Sequence, residues 1–136
     1  MSCPQCRGIE KTFNSGMAER ELREYRTHGP AKTTRLLIEA IKALGISGLT
    51  LLDIGGGVGA IQHELLKDGV DHATAVDASR AYLAAARQEA ERQGQAQRVT
   101  YQFGDFVELA SQIPRADIVT LERVICCYPD MRALVG

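Results

Sequence analysis

Leu49-Thr50-Leu51-Leu52-Asp53-Ile54-Gly55-Gly56-Gly57-Val58-Gly59 is the stretch that carries the fold. Residues 49–52 form a short apolar run that reads as a buried strand, and residues 61–67 beyond the glycines have a helical pattern. Glycines at a strand-to-helix turn let the backbone bend sharply and let a ligand approach the exposed N–H groups of the helix. Two ligand classes use that device. A dinucleotide places its pyrophosphate there, and Gly55-x-Gly57-x-x-Ala60 satisfies that fingerprint, with Asp77 following 77 − 55 = 22 residues later for the ribose. Asp53 favours the other class, because a carboxylate repels a pyrophosphate and attracts the ammonium group of an amino acid.

Outward from this stretch the same grammar repeats. Asp68 and Gly69 close the helix, and residues 73–76 form a second strand ending at Asp77. Ser79 is an N-cap for a helix over 80–93, stopped by Gly94. Residues 99–103 read as a third strand, Gly104 and Asp105 lead into a short helix through 112, and residues 118–121 make a fourth strand. Strands alternating with helices give an α/β, doubly wound, Rossmann-like parallel sheet, covered on both faces and joined by right-handed crossovers. Toward the N-terminus, residues 13–28 suit a surface helix with sparse apolar positions at Phe13, Met17, Leu22 and Tyr25. Gly29 and Pro30 interrupt it, and a second helix follows, with Leu36, Leu37, Ala40, Ile41 and Leu44 as its apolar stripe.

The chain has 136 residues, 45% of them hydrophobic and 24% charged, which fits one globular domain and not a disordered chain. With 16 Lys+Arg against 17 Asp+Glu the net charge is −1, which argues against a nucleic-acid partner. No apolar run reaches about 18 residues and the first 16 are polar, so neither a membrane span nor a signal peptide is expected and the cytosol is the default compartment. The cysteines pair in sequence as Cys3/Cys6 and Cys126/Cys127. One Cys-x-x-Cys supplies two of the four ligands a zinc site needs, and Cys126 and Cys127 could supply the others; idle, buried or pocket-lining thiols are the expectation and no metal is assigned.

Each strand ends in or just before an acid: Asp53, Asp77, Asp105 and Glu122. Any one of them alone is explained as a helix cap or a solvated carboxylate; together, where an open parallel sheet binds ligands, they favour a cationic or hydroxyl-rich ligand. The ordered set Asp53-x-Gly55-x-Gly57-x-Gly59, Asp77, Gly104-Asp105-Phe106 and Ala116-Asp117-Ile118-Val119 resembles the class I S-adenosylmethionine-dependent methyltransferases over roughly residues 30–136. More narrowly, residues 51–59 and 123–130 resemble bacterial proteins labelled magnesium-protoporphyrin O-methyltransferase-like.

The resemblance implies a role for each matching residue. Gly55, Gly57 and Gly59 would shape the loop under the methionine part of S-adenosylmethionine, with Asp53 orienting the loop and meeting the ammonium side. Asp77 would accept both ribose hydroxyls, serving the ligand and contributing little to the core. Ala78 and Ser79 would border the adenine, Asp105 would accept from its amine, Phe106 would give the ring an apolar neighbour, and Glu122 would lie near the methionine part or the transferred methyl. No catalytic residue is assigned, because methyl transfer from a sulfonium draws most of its acceleration from proximity and orientation. A carboxylate acceptor, as the protoporphyrin likeness implies, needs no strong base. Residues 127–130, Cys-Tyr-Pro-Asp, lack the Asn/Asp-Pro-Pro-aromatic sequence of nucleobase-amine methyltransferases, which leaves a small molecule as the expected acceptor. A nicotinamide-dependent oxidoreductase and a cofactor-binding fragment without turnover are the alternatives.

The family organisation implies an N-terminal unit, residues 1–29, holding the Cys-x-x-Cys segment and a lid-like helix, and a cofactor-binding unit, residues 30–136. Its sheet has seven strands and four are legible here, so the chain is expected to be truncated after the fourth, with low or no methyl transfer. The edge of strand four would then self-associate, or the tail from about residue 125 would be poorly ordered. His63 and His72 read as surface helix and loop residues, and His28 as a cation at a helix C-terminus.

Overall fold

Leu51, Leu52 and Ile54 are apolar on both sides of a strand, and the computed structural model, which describes residues 15–113 and 115–121, puts that strand at the centre of a sheet. Helices α1 (Ser15–His28) and α2 (Lys32–Lys42) precede β1 (Thr50–Ile54). Then come α3 (Ala60–Lys67), β2 (His72–Asp77), α4 (Arg80–Arg92), a 3-10 turn (Ala96–Arg98) and β3 (Val99–Phe103). The short α5 (Phe106–Leu109), a second 3-10 turn (Ala110–Gln112) and β4 (Ile118–Thr120) follow. All pairings are parallel, in the order β3-β2-β1-β4, so the described chain winds outward through β2 and β3 and returns to the other side of β1.

One face of the sheet carries Leu51, Ala73, Ala75 and Val99, packed against Ile38 of α2, Ile61, Leu65 and Leu66 of α3 and Ala90 of α4. The opposite face carries Leu52, Ile54 and Val76, against Phe106, Leu109 and Ile113 of the α5 segment. Both faces are covered, as the alternation of elements implies, but unequally. Val119, in register with Leu52, is 52% exposed, and among the described strands β4 pairs with β1 alone.

The α2 stripe is a correction. Thr34 and Ile38 are its buried residues, with Ile41 partly buried, whereas Leu36 is 63% exposed and Leu44, beyond the end of the helix, 85% exposed. Both faces of α2 have apolar residues at helical spacing, and packing against α3 selects the face of Thr34, Ile38 and Ile41. Asp53 also differs from expectation in lying inside β1, which runs on to Ile54. Alternation therefore turns it toward the helical layer with Leu51.

Candidate functional site

The order of strands reverses across β1 and β4, and the carboxyl ends of all four lie on one side, where open α/β sheets bind ligands. The loop after β1 reaches this side with Gly55, Gly57 and Gly59 at φ of +67°, +63° and +87°, values that residues with a β-carbon rarely adopt. It is tied down by its own backbone: Gly55 N–H donates to the Val76 carbonyl (2.7 Å) and Gly59 N–H to that of Gly56 (3.0 Å). Asp53 is fully buried beneath it. Its Oδ1 accepts from the Thr120 hydroxyl (2.8 Å) and its Oδ2 from Gln62 Nε2 (3.0 Å), joining β1, β4 and α3. A β-carbon on Gly56 would stand 2.2 Å from Asp53 Oδ2, so the loop passes over the carboxylate at a distance only glycine allows.

Asp77, last residue of β2, is buried and accepts backbone N–H groups from Ser79 (2.9 Å), Gly57 and Ala78. Burial pushes its carboxyl up to about 6; those three donors oppose the shift and the nearby Asp53 charge adds to it. Ser79 caps α4 by accepting from Tyr82 N–H (3.3 Å), and Ala78 and Ser79 are both buried. Gly104 N–H donates to the Asp77 carbonyl (3.0 Å), which brings the loop after β3 against the end of β2. There Asp105, also buried, caps α5 by accepting from Val107 N–H (2.9 Å). Phe106, half-buried, packs on one side toward Leu52, Ile54 and Val76. The Arg80 guanidinium lies 4.0 Å over the ring of Phe103 beside this corner.

Asp53, Gly55, Gly57, Gly59, Asp77, Ala78 and Ser79 thus form one bonded corner, with Asp105 next to it. Glu122 lies outside the described residues, as do Cys3, Cys6, Cys126 and Cys127. Among the described residues no three His, Cys, Asp or Glu side chains gather as a metal site, and no helix is long and apolar enough to cross a membrane.

Gln62, Thr120 and His63 belong to the corner and were not legible as site residues. Gln62 and His63 are consecutive polar residues directly after the glycine loop, a place where the helix also buries Ile61. His63 corrects the surface expectation: it is fully buried, with Nε2 2.8 Å from the Val58 carbonyl, and burial lowers its pKa. The reason is α1, which lays Ala18, Leu22 and Tyr25 over Val58, Tyr82 and Ala85 and so covers what would be an outer face. His72 opens β2 instead of sitting in a loop, 2.9 Å from the Thr100 hydroxyl. His28 is the last residue of α1, at the helix C-terminus.

Residues 51–135, more than half of the chain, match the family described as methyltransferase domain. No curated protein sequence matches. Among solved structures, the magnesium protoporphyrin IX methyltransferase of Synechocystis PCC 6803 with bound S-adenosylmethionine is similar in fold: TM-score 0.71, 21% identity, 97% of this chain and 68% of that one covered. A putative S-adenosylmethionine-dependent methyltransferase of Methanococcus maripaludis gives TM-score 0.67 and 22% identity, covering 90% and 57%. A third, from Geobacter sulfurreducens and in complex with S-adenosylhomocysteine, is 29% identical at TM-score 0.50, covering 57% and 30%. The chain spans between 30% and 68% of the length of these three structures. The family match favours methyl transfer over the dinucleotide reading that the glycine loop alone leaves open: this chain belongs to the methyltransferase domain family.

Proposed function

We propose that the corner binds S-adenosylmethionine and serves methyl transfer to a small-molecule acceptor in the cytosol, with residues 1–29 as a cover and 30–136 as the cofactor-binding unit. The observation that carries it is the glycine loop seated on Asp53, where a β-carbon at Gly56 has no room and a ligand meets backbone in place of side chains. When bound, the cofactor supplies an electrophilic methyl group on a sulfonium. Gly55, Gly57 and Gly59 shape the loop for its methionine part. Asp53 serves from below, fixing the loop through Gln62 and Thr120 and adding negative charge toward an ammonium group. Asp77 accepts from the ribose: a carboxylate has about four acceptor positions and three are taken by N–H groups, so one hydroxyl is a better fit than two. Ala78, Ser79, Asp105 and Phe106 take the adenine side, and Glu122 the methionine side.

The acceptor reading is supported by the net charge of −1, which offers no basic surplus for nucleic acid. A second copy of the chain, paired at the β4 edge, is the proposed protein partner, supported by the exposed Val119. Parallel calorimetric titrations with S-adenosylhomocysteine and NAD test the cofactor. Binding of the first alone is expected, and Gly57→Val abolishes it, because a β-branched residue cannot take a φ of +63° without strain. Binding of NAD alone, or of neither, overturns the proposal.

A further inference from the structure

His63 stands directly behind the glycine loop, outside the residues assigned to the cofactor. It holds two consecutive carbonyls of that loop: its backbone N–H donates to Gly59 (2.9 Å) and its ring Nε2 lies 2.8 Å from the carbonyl of Val58. A carbonyl only accepts, so Nε2 carries the hydrogen and the ring is the neutral Nε2–H tautomer. Nδ1 is buried and has no partner among the described residues, and burial lowers the pKa of the ring, which agrees with a neutral imidazole. The charged and titratable groups around it are Tyr25 on α1, Glu64 and Lys67 on α3 and Glu89 on α4.

Two contacts tie this ring to what lies on either side. A β-carbon on Gly59 would stand 2.9 Å from the same Nε2, so the glycine is what lets the imidazole come under the loop. On the far side the Tyr25 ring of α1 lies 5.7 Å away, centroid to centroid, tilted by 34°. The Val58 side chain packs into the α1 cluster with Ala18, Leu22 and Tyr25. The Val58–Gly59 peptide is therefore fixed by a hydrogen bond from one side and by α1 from the other.

We propose that His63 is a positioning residue for cofactor binding: its Nε2–H holds the Val58–Gly59 peptide in the conformation that receives the cofactor, and its ring passes loop movement to α1. The inference rests on the reading that S-adenosylmethionine lies on this loop. A buried carbonyl without a donor is costly, so losing the imidazole hydrogen opens the loop even where the space stays filled.

The test is calorimetric titration of S-adenosylhomocysteine into the full chain as wild type, His63→Gln and His63→Phe. Glutamine keeps an N–H donor at similar reach; phenylalanine keeps the ring and its contact with Tyr25 but donates nothing. The Gln variant is expected within about threefold of wild type and the Phe variant weakened about tenfold or more, the range one hydrogen bond to a buried group covers. A folded Phe variant that binds like wild type overturns the proposal, as does equal weakening of both variants. The wild-type ring gives an independent readout by NMR, whether or not the variants fold. Its Nε2–H tautomer should persist and its pKa fall further on saturation with the ligand, and a ring unmoved by the ligand overturns the proposal. Wild type that binds no S-adenosylhomocysteine overturns the cofactor reading itself, whereas binding with an unaffected Phe variant overturns only the role of His63.

Discussion

Under the proposed function Asp77 has two jobs, and they pull in opposite directions with pH. Its carboxyl is raised by burial from the ordinary 3.8 to about 6, so folding favours the protonated form. The stability this contributes is fully present below about pH 4 and lost as pH rises through about 6; two pKa units correspond to roughly 3 kcal/mol. If Asp77 takes the ribose as proposed, cofactor affinity should run the other way, because hydroxyls donate best to the carboxylate. S-adenosylhomocysteine should bind with constant affinity from pH 7 to 8 and progressively more weakly below 6, and Asp77→Asn should flatten that profile. A wild-type affinity that is level down to pH 5 would remove Asp77 from the ribose. The expectation that Asp77 contributes little to the core needs revision: Asp77→Ala strips the acceptor from three N–H groups of Gly57, Ala78 and Ser79, so stability should fall together with affinity. Gly56→Ala tests the floor of the loop. The added carbon meets the Asp53 carboxylate with no backbone strain involved, and overpacking of this kind costs about 1–3 kcal/mol, read as a lower denaturation midpoint.

Among the elements, α1 depends on one buried acid. Glu89 of α4 accepts from Arg26 of α1 (2.7 Å), from Arg92 (2.9 Å) and from Gln93 (2.6 Å) with no exposed surface. Burial would raise its pKa, but hydrogen bonds from Arg92, Gln93 and Arg26 outweigh that and hold it at about 2. Its contribution is present above about pH 4.5 and lost as pH falls through about 2. Glu89→Gln should cost about 2 kcal/mol, the scale of a hydrogen bond to a charged group, and speed hydrogen exchange across α1. Unchanged exchange there would mean that Ala18, Leu22 and Tyr25 dock the helix unaided. The strands, the capping by Ser79 and the glycine turn were legible because each is written locally, in apolar runs punctuated by Gly, Asp and Ser. The burial of His63, the inward face of α2 and the clasp of Asp53 by Gln62 and Thr120 were not. They are decided by which distant segment packs alongside, and a window of one element carries no trace of that.

For the whole molecule the least covered flank of the described sheet is the β4 side. Val119 is apolar and half exposed on a strand with one described neighbour, a combination that soluble proteins usually pair or cover. Light scattering should find the chain associated, and Val119→Lys, which puts a charge on that edge, should shift it toward monomer. A monomeric wild type at high concentration would sink the β4 pairing.

The hydrogen bond between Asp53 and Thr120 closes 67 positions of chain. Contacts of such separation pay loop-closure entropy before they return anything, so they form late. The floor of the glycine loop should therefore be completed late in folding, although the loop itself is made early in synthesis. A nascent chain halted on the ribosome before Thr120 emerges has the glycines, β2 and the Asp77 corner, yet Asp53 lacks its partner on β4. Ligand binding during translation should accordingly switch on only after β4 has cleared the exit tunnel.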